Sequence, residues 1–274
     1  MRALFILIIF LPCTSFAQYA QGRIEEDMIT TNKEVSKIYY AAYFPSDYDL
    51  SPIRKYPIIY FLSSAIDHND WIKHGEVNKM FDKLIAERKI PPFIGIMLCG
   101  APYKSPEEWK NLFEEDIIKI VERRVRAYPE SRSKRAIIGF SLGGYYAIKS
   151  SVEMTNKFLC SIAFCPLYTS AVNSVDHLVE VYEEQSKCDL VGHMINGIEK
   201  IENKKNSNFQ LIISSDNNLA KDDFDLIKMQ VIQNPNSQVW IRNGEHDWDF
   251  AIRNLEPALE YAGDVFFGRI KMNQ

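Results

Sequence analysis

Ser141 lies in Gly139-Phe140-Ser141-Leu142-Gly143-Gly144, after an apolar run from Ala136 to Phe140 and ahead of a helix-like segment from Leu142 to Met154. A serine in a G-x-S-x-G corner between strand and helix presents its hydroxyl at the C-terminal rim of a sheet. The flanking glycines are needed because a Cβ there would collide with neighbouring backbone. The following helix aims unbonded N–H groups at the same place, which suits the oxyanion formed when Ser141 attacks a carbonyl. Such a nucleophile needs a base, and the base needs an orienting acid. His246, in Gly244-Glu245-His246-Asp247-Trp248, follows an apolar run ending at Ile241 and precedes the last helical pattern, which brings it to that rim. Asp216 follows another apolar run through Ser214 and Ser215, and the chain order is then serine, acid, histidine. Asp222, Asp223 and Asp225 compete for the acid role, but they fall in or beside a helical pattern, where a solvated first turn explains them without catalysis. His68, His74, His177 and His193 have no such context and are expected at surface or supporting positions. Trp71 and Trp248 are candidate walls of an aromatic acyl or alcohol pocket, with core packing as the alternative.

A scaffold for these residues is visible in the hydrophobic pattern. Apolar runs at Pro57 to Leu62, Phe93 to Cys99, Ala136 to Phe140, Cys160 to Cys165, Phe209 to Ile213 and Gln238 to Ile241 read as strands buried on both faces. A β-prone segment, Ser36 to Phe44, precedes them. Helical patterns alternate with the strands at Val77 to Arg88, Pro106 to Tyr128, Leu142 to Met154, Asp222 to Ile232 and Phe250 to Phe266. Alternation of this kind predicts an α/β fold with a mostly parallel central sheet and helices on both faces. Residues Leu167 to Ser207 break the rhythm with a long helical and polar excursion, expected to be a lid-like insertion beside the site.

The first residues, Met1-Arg2, an apolar run to Leu11 and then Ser15-Phe16-Ala17, read as a secretory signal peptide over 1–17. The run is too short to span a bilayer, and Pro12 stands where a lipidated Cys13 would follow a small residue. A mature chain beginning near Gln18 is expected in the periplasm or outside the cell, as one domain over 18–274. Hydrophobic residues make up 46% of the chain, enough for one sizeable core, and the formal charge of −4 with no Lys/Arg block argues against nucleic acid as a partner. Cys160 and Cys165 sit at opposite ends of one strand, beyond disulfide reach. Buried thiols are therefore expected, with Cys188 the residue free to bridge. No C-x-x-C or H-E-x-x-H spacing points to a metal site, and the triad chemistry requires no cofactor.

From about Tyr39 to Phe267 the chain resembles the putative-esterase family of α/β-hydrolases. That family includes feruloyl and acetyl xylan esterases, S-formylglutathione hydrolases, trilactone-siderophore esterases and the antigen 85 mycolyltransferases. Tyr43-Phe44-Pro45-Ser46-Asp47-Tyr48 resembles its V-Y-L-P-x-x-Y, and Lys55 to Leu62 its K-Y-P-V-L-Y-L-L. Phe113-Glu114-Glu115-Asp116 resembles the acidic turn of the helix before the elbow strand. Gly139 to Gly144 matches the G-x-S-x-G-G, and Gly244 to Trp248 the G-x-H-x-W around the catalytic histidine. Ile213-Ser214-Ser215-Asp216 stands where the family usually has a Gly-Thr-x-Asp-like run. Ser63 and Ser64 replace the usual His-Gly, whose glycine lets backbone approach the substrate oxygen.

The resemblance implies an α/β-hydrolase fold and a serine esterase with Ser141, His246 and Asp216 as its triad. Leu142 N–H is one oxyanion donor. The second falls to the backbone at Ser64 or Ala65, or to a serine hydroxyl, and losing a donor typically costs about 2.7–4 kcal/mol of transition-state stabilisation. Two other activities fit the same residues: acyl transfer to a sugar or lipid acceptor, and a non-catalytic binding protein with an impaired oxyanion hole. Expected substrates are small-molecule or polysaccharide-linked esters. Export argues against a cytosolic S-formylglutathione substrate.

Overall fold

The computed structural model describes residues 19–30, 37–63, 67–99, 109, 111–129, 134–154, 157–166, 208–214 and 237–269. Among them, one sheet is formed by β1 (Arg23–Thr30), β2 (Lys37–Phe44), β3 (Ile58–Leu62), β4 (Ile94–Leu98), β5 (Arg135–Phe140), β6 (Cys160–Phe164), β7 (Asn208–Ser214) and β8 (Ser237–Arg242). The spatial order is β1-β2-β4-β3-β5-β6-β7-β8. The β1–β2 and β2–β4 pairs are antiparallel and all the others parallel, as the alternating pattern predicts. Leu62, Gly139, Ala163, Leu211 and Val239 lie in one row across the sheet. The chain therefore leaves β3, β5, β6, β7 and β8 at a common rim, where a ligand site belongs in an open α/β sheet.

Helices cover both faces. Helix α1 (Asp70–Gly75) and helix α2 (Val77–Ala86) precede β4, and a π-helical stretch, Leu112–Ile118, runs into α3 (Lys119–Arg124). Helix α4 (Leu142–Glu153) follows the elbow, and α5 (Trp248–Phe266) closes the described chain. Strand β3 explains why two layers are needed: Ile58, Tyr60 and Leu62 point to one face, Ile59 and Phe61 to the other, and all are buried. Phe113, Val121, Tyr146 and Ala147 from the π-helix, α3 and α4 cover the first face. Trp71, Phe81, Phe250 and Leu259 from α1, α2 and α5 cover the second. The Arg135 guanidinium forks onto Glu122, with Nη2 2.6 Å from Oε2, and this nearly dry pair ties α3 to the start of β5.

Three elements depart from the sequence pattern. Strand β1 was not signalled, because Arg-Ile-Glu-Glu-Asp-Met-Ile-Thr pairs only with β2 and leaves most of its charged side chains in solvent, with no apolar run to mark it. Helix α1 is too short to show a period. The helix expected over Pro106 to Tyr128 stops at Arg124, where Val125 turns extended (φ −120°, ψ 162°), and its central part is π-helical. Cys160 and Cys165 are buried at the two ends of β6, and burial pushes the Cys160 thiol pKa up, away from the reactive thiolate. The segment 1–17, the helix expected over Asp222 to Ile232, the insertion over Leu167 to Ser207, and Cys188 lie outside the described residues. No helix among those described is long and apolar enough to cross a membrane.

Candidate active site

Ser141 sits between β5 and α4 at φ 56°, ψ −116°, a conformation that costs a non-glycine residue about 1–3 kcal/mol. Its surroundings impose it. Ser141 N–H donates to Phe164 O at 2.9 Å, and Ser141 O accepts from Tyr145 N–H at 3.0 Å as the first bond of α4. A Cβ on Gly139 would stand 2.0 Å from Gly143 O, and one on Gly143 would stand 2.3 Å from Leu62 O and 2.5 Å from Ser63 O. Close backbone approach, as the motif requires, thus fixes both glycines. At Gly144 the nearest atom, Phe164 O, is 3.0 Å away, so that position is tight without being closed.

His246 comes from the turn between β8 and α5, and its Nε2 lies 2.9 Å from Ser141 Oγ. Burial lowers the imidazole pKa below its ordinary value, and the charge of Asp247 only partly opposes this. The ring is therefore neutral at neutral pH. With its proton on Nδ1, Nε2 accepts from the serine hydroxyl. The adjacent Asp247 has separate work: its carboxylate accepts Phe250 N–H at 2.8 Å and caps α5. The structure brings Ser141 and His246 together; Asp216 and Ser64 lie outside the described residues.

Leu142 is the first residue of α4, so its N–H belongs to the turn that has no intrahelical acceptor, next to Ser141. Across from it, Ser63 is wholly buried, and its N–H donates to Leu98 O at 3.0 Å. Its N–H is thus not available to an oxyanion.

The two tryptophans divide. Trp71 is fully buried and packs on Phe61, Phe164 and Trp248, so its place is the core alternative. Trp248 is partly exposed two residues beyond His246 and touches Phe140, whose ring also lies 5.3 Å from the His246 ring. His74 stacks in parallel on Trp248 at 4.9 Å, the supporting position expected of it. No cluster of three or more His, Cys, Asp or Glu among the described residues comes together to hold a metal ion.

A buried serine at a strained strand–helix corner, within hydrogen-bond reach of a histidine from the last strand–helix turn, has the geometry that acyl transfer requires. The family model described as "Putative esterase" matches residues 34–265. This chain belongs to that esterase family. It is a serine hydrolase acting on ester bonds. No curated protein sequence matches it. Among solved structures, the esterase is similar to a ferulic acid esterase, with TM-score 0.78 and 18% identity over 91% of this chain and 100% of the other. The feruloyl esterase module from Clostridium thermocellum, a serine-to-alanine mutant complexed with sinapinate, gives TM-score 0.69 and 17% identity, covering 88% of each chain. An S-formylglutathione hydrolase from Staphylococcus aureus gives TM-score 0.72 and 13% identity, covering 88% and 98%. At such identities these neighbours establish the α/β-hydrolase fold of the esterase.

Proposed function

We propose that the protein is an exported serine esterase that cleaves a carboxylic ester through a Ser141–His246–Asp216 triad and an acyl-enzyme. The 2.9 Å approach of His246 Nε2 to Ser141 Oγ carries this reading. Ser141 Oγ attacks the ester carbonyl carbon while His246 takes its proton. The tetrahedral oxyanion is met by Leu142 N–H and by a second backbone donor at Ser64 or Ala65, since the Ser63 N–H is taken up by Leu98 O. Collapse expels the alcohol, which receives its proton from His246. Water then gives a proton to His246 and attacks the acyl carbon, releasing the acid and restoring Ser141. Asp216, two residues beyond the end of β7, orients the imidazole and stabilises the imidazolium.

Met1 to Ala17 is the export signal in this reading, and 18–274 is a single domain acting in the periplasm or outside the cell on a small-molecule or polysaccharide-linked ester. The partly exposed Trp248, two residues from His246, favours an aromatic acyl or alcohol group. The ferulic acid and feruloyl esterases among the structural neighbours support the same choice. Purified wild type and Ser141→Ala, assayed on p-nitrophenyl esters, feruloyl esters, acetylated polysaccharide and a trilactone siderophore, test it. Turnover that disappears in the variant supports the mechanism, whereas equal rates in the two proteins would overturn it.

A further inference from the structure

At the opposite end of the sheet from the elbow, the chain enters the parallel strands β3, β4 and β5. Pro57 leads into β3, Pro91 and Pro92 lead towards β4, and Lys134 stands one residue before β5. With the end of α5 they enclose a cavity of about 440 Å³, within the range of small-molecule sites. The six residues of β5 lie between Lys134 and Ser141, roughly 23 Å at strand rise, so an occupant of this cavity does not reach the nucleophile. Its charge is one-sided: Arg54, Lys55 and Lys134 line it and no lining residue is acidic, although the whole chain has a formal charge of −4. Arg54 is paired with Asp47 and lies over the Tyr56 ring at 5.1 Å. Lys55 and Lys134 have no carboxylate partner among the described residues. Positive charges gathered in a concave wall without a counter-charge favour an incoming anion. The rest of the lining is flat and apolar. Tyr128 is 37% exposed and Phe267 42%, and Lys134 Nζ stands 5.7 Å from the centre of the Tyr128 ring, so charge and ring face are presented side by side. The carbonyls of Gly263, Asp264 and Val265 at the end of α5 accept from the N–H groups of Phe267, Arg269 and Gly268, so this helix end brings a ring to the cavity and little free negative charge.

We propose that this cavity is a second ligand site, which takes a carboxylate carried on a six-membered ring with an apolar face. Lys55 and Lys134 hold the carboxylate, and the ring lies against Tyr128 and Phe267. A uronic-acid unit of an acidic polysaccharide has this chemistry, since the C–H bonds of a sugar ring give it apolar faces, and a free aromatic acid shares it. An exposed charge pair contributes about 1 kcal/mol or less, so the cations attract the ligand and the rings select it over a bare anion. The role of the site rests on the polysaccharide-ester reading above: a hold on the acidic chain remote from Ser141 keeps the enzyme on its polymer between turnovers. Binding itself does not depend on that reading.

Isothermal titration calorimetry of the full mature chain with trigalacturonate, which has no ester to cleave, tests binding apart from catalysis. A Kd of about 1 mM or tighter is expected, weakened about tenfold or more in the double variant Lys55→Gln, Lys134→Gln and about fivefold in Tyr128→Ala. Added salt should weaken it further. Both variants should hydrolyse p-nitrophenyl acetate within about twofold of wild type, which shows them folded. In electrophoresis through a gel containing polygalacturonate, wild type should be retarded and the double variant should not. Ferulate in place of the sugar distinguishes the two sources: ferulate bound alone, with the same sensitivity to the substitutions, assigns the site to a free aromatic acid. No binding of either compound up to about 10 mM, affinity unaltered in both variants, or equal affinity for neutral galactotriose or inorganic phosphate would each overturn the proposal. So would capture by phosphatidylglycerol vesicles with neither carboxylate bound, which would assign the cations to a membrane surface. If wild type cleaves no ester, the esterase reading fails by itself, and the calorimetry still decides whether the cavity is a site.

Discussion

The elbow and the end of β3 face each other across the site, and they are held in place by different forces. On the elbow side, backbone touches backbone: Gly139 and Gly143 pack where a Cβ would stand 2.0 and 2.3 Å from another chain atom. On the β3 side, Ser63 is buried and its N–H donates to Leu98 O at 3.0 Å. Steric exclusion admits one residue type, so the elbow keeps its family motif. A backbone hydrogen bond does not depend on the side chain, so the opposite side can replace His-Gly with Ser-Ser and still keep it.

The largest effect should come from the nucleophile. Ser141→Ala is expected to lower kcat by about a millionfold, as measured by single-turnover ester hydrolysis, while leaving the folded chain intact. A small loss would mean that the elbow only positions substrate. Next in size, Gly139→Ala and Gly143→Ala should each lose about 3 kcal/mol or more of stability in urea unfolding. Gly144→Ala, whose Cβ would find its nearest neighbour at 3.0 Å, should change stability by less than about 1 kcal/mol, since the gain in helix propensity offsets the tight contact. Equal losses at all three positions would dissolve the distinction between excluded and merely crowded sites.

The smallest expected effect concerns the base. Because burial holds the His246 pKa below 6.5, kcat/KM should fall only as the pH drops beneath that value, when the imidazole takes a proton and can no longer accept one from Ser141. Asp247→Asn removes the neighbouring charge that raises this pKa and retains an oxygen to cap α5. The acid limb of the pH–rate profile should therefore move to lower pH. An upward shift would assign Asp247 a different relation to the ring.

Both sides of the site were legible in the sequence to the degree that their forces leave a local trace. The elbow could be read because glycine is compulsory at two of its positions, and β3 to β6 because strands buried on both faces become unbroken apolar runs, whereas β8, expected to be buried on both faces, has Val239 and Trp240 only partly buried and Ile241 exposed. His246 could be placed from its position between the last strand and the last helix. Strand β1 could not, since an edge strand with charged side chains in water looks like any polar segment. The π-helical turns at Leu112–Ile118 were equally hidden, because an i, i+5 register is imposed by packing and the hydrophobic spacing still resembles an ordinary helix.

Fluorophosphonate labelling followed by peptide mass spectrometry tests most directly whether Ser141 is a nucleophile activated by His246. The structure predicts a single adduct on Ser141 in the wild type, no adduct in Ser141→Ala, and labelling slowed by about a hundredfold or more in His246→Ala. Folded wild type that takes up no label at Ser141, or a His246→Ala variant that labels at the wild-type rate, would contradict the account.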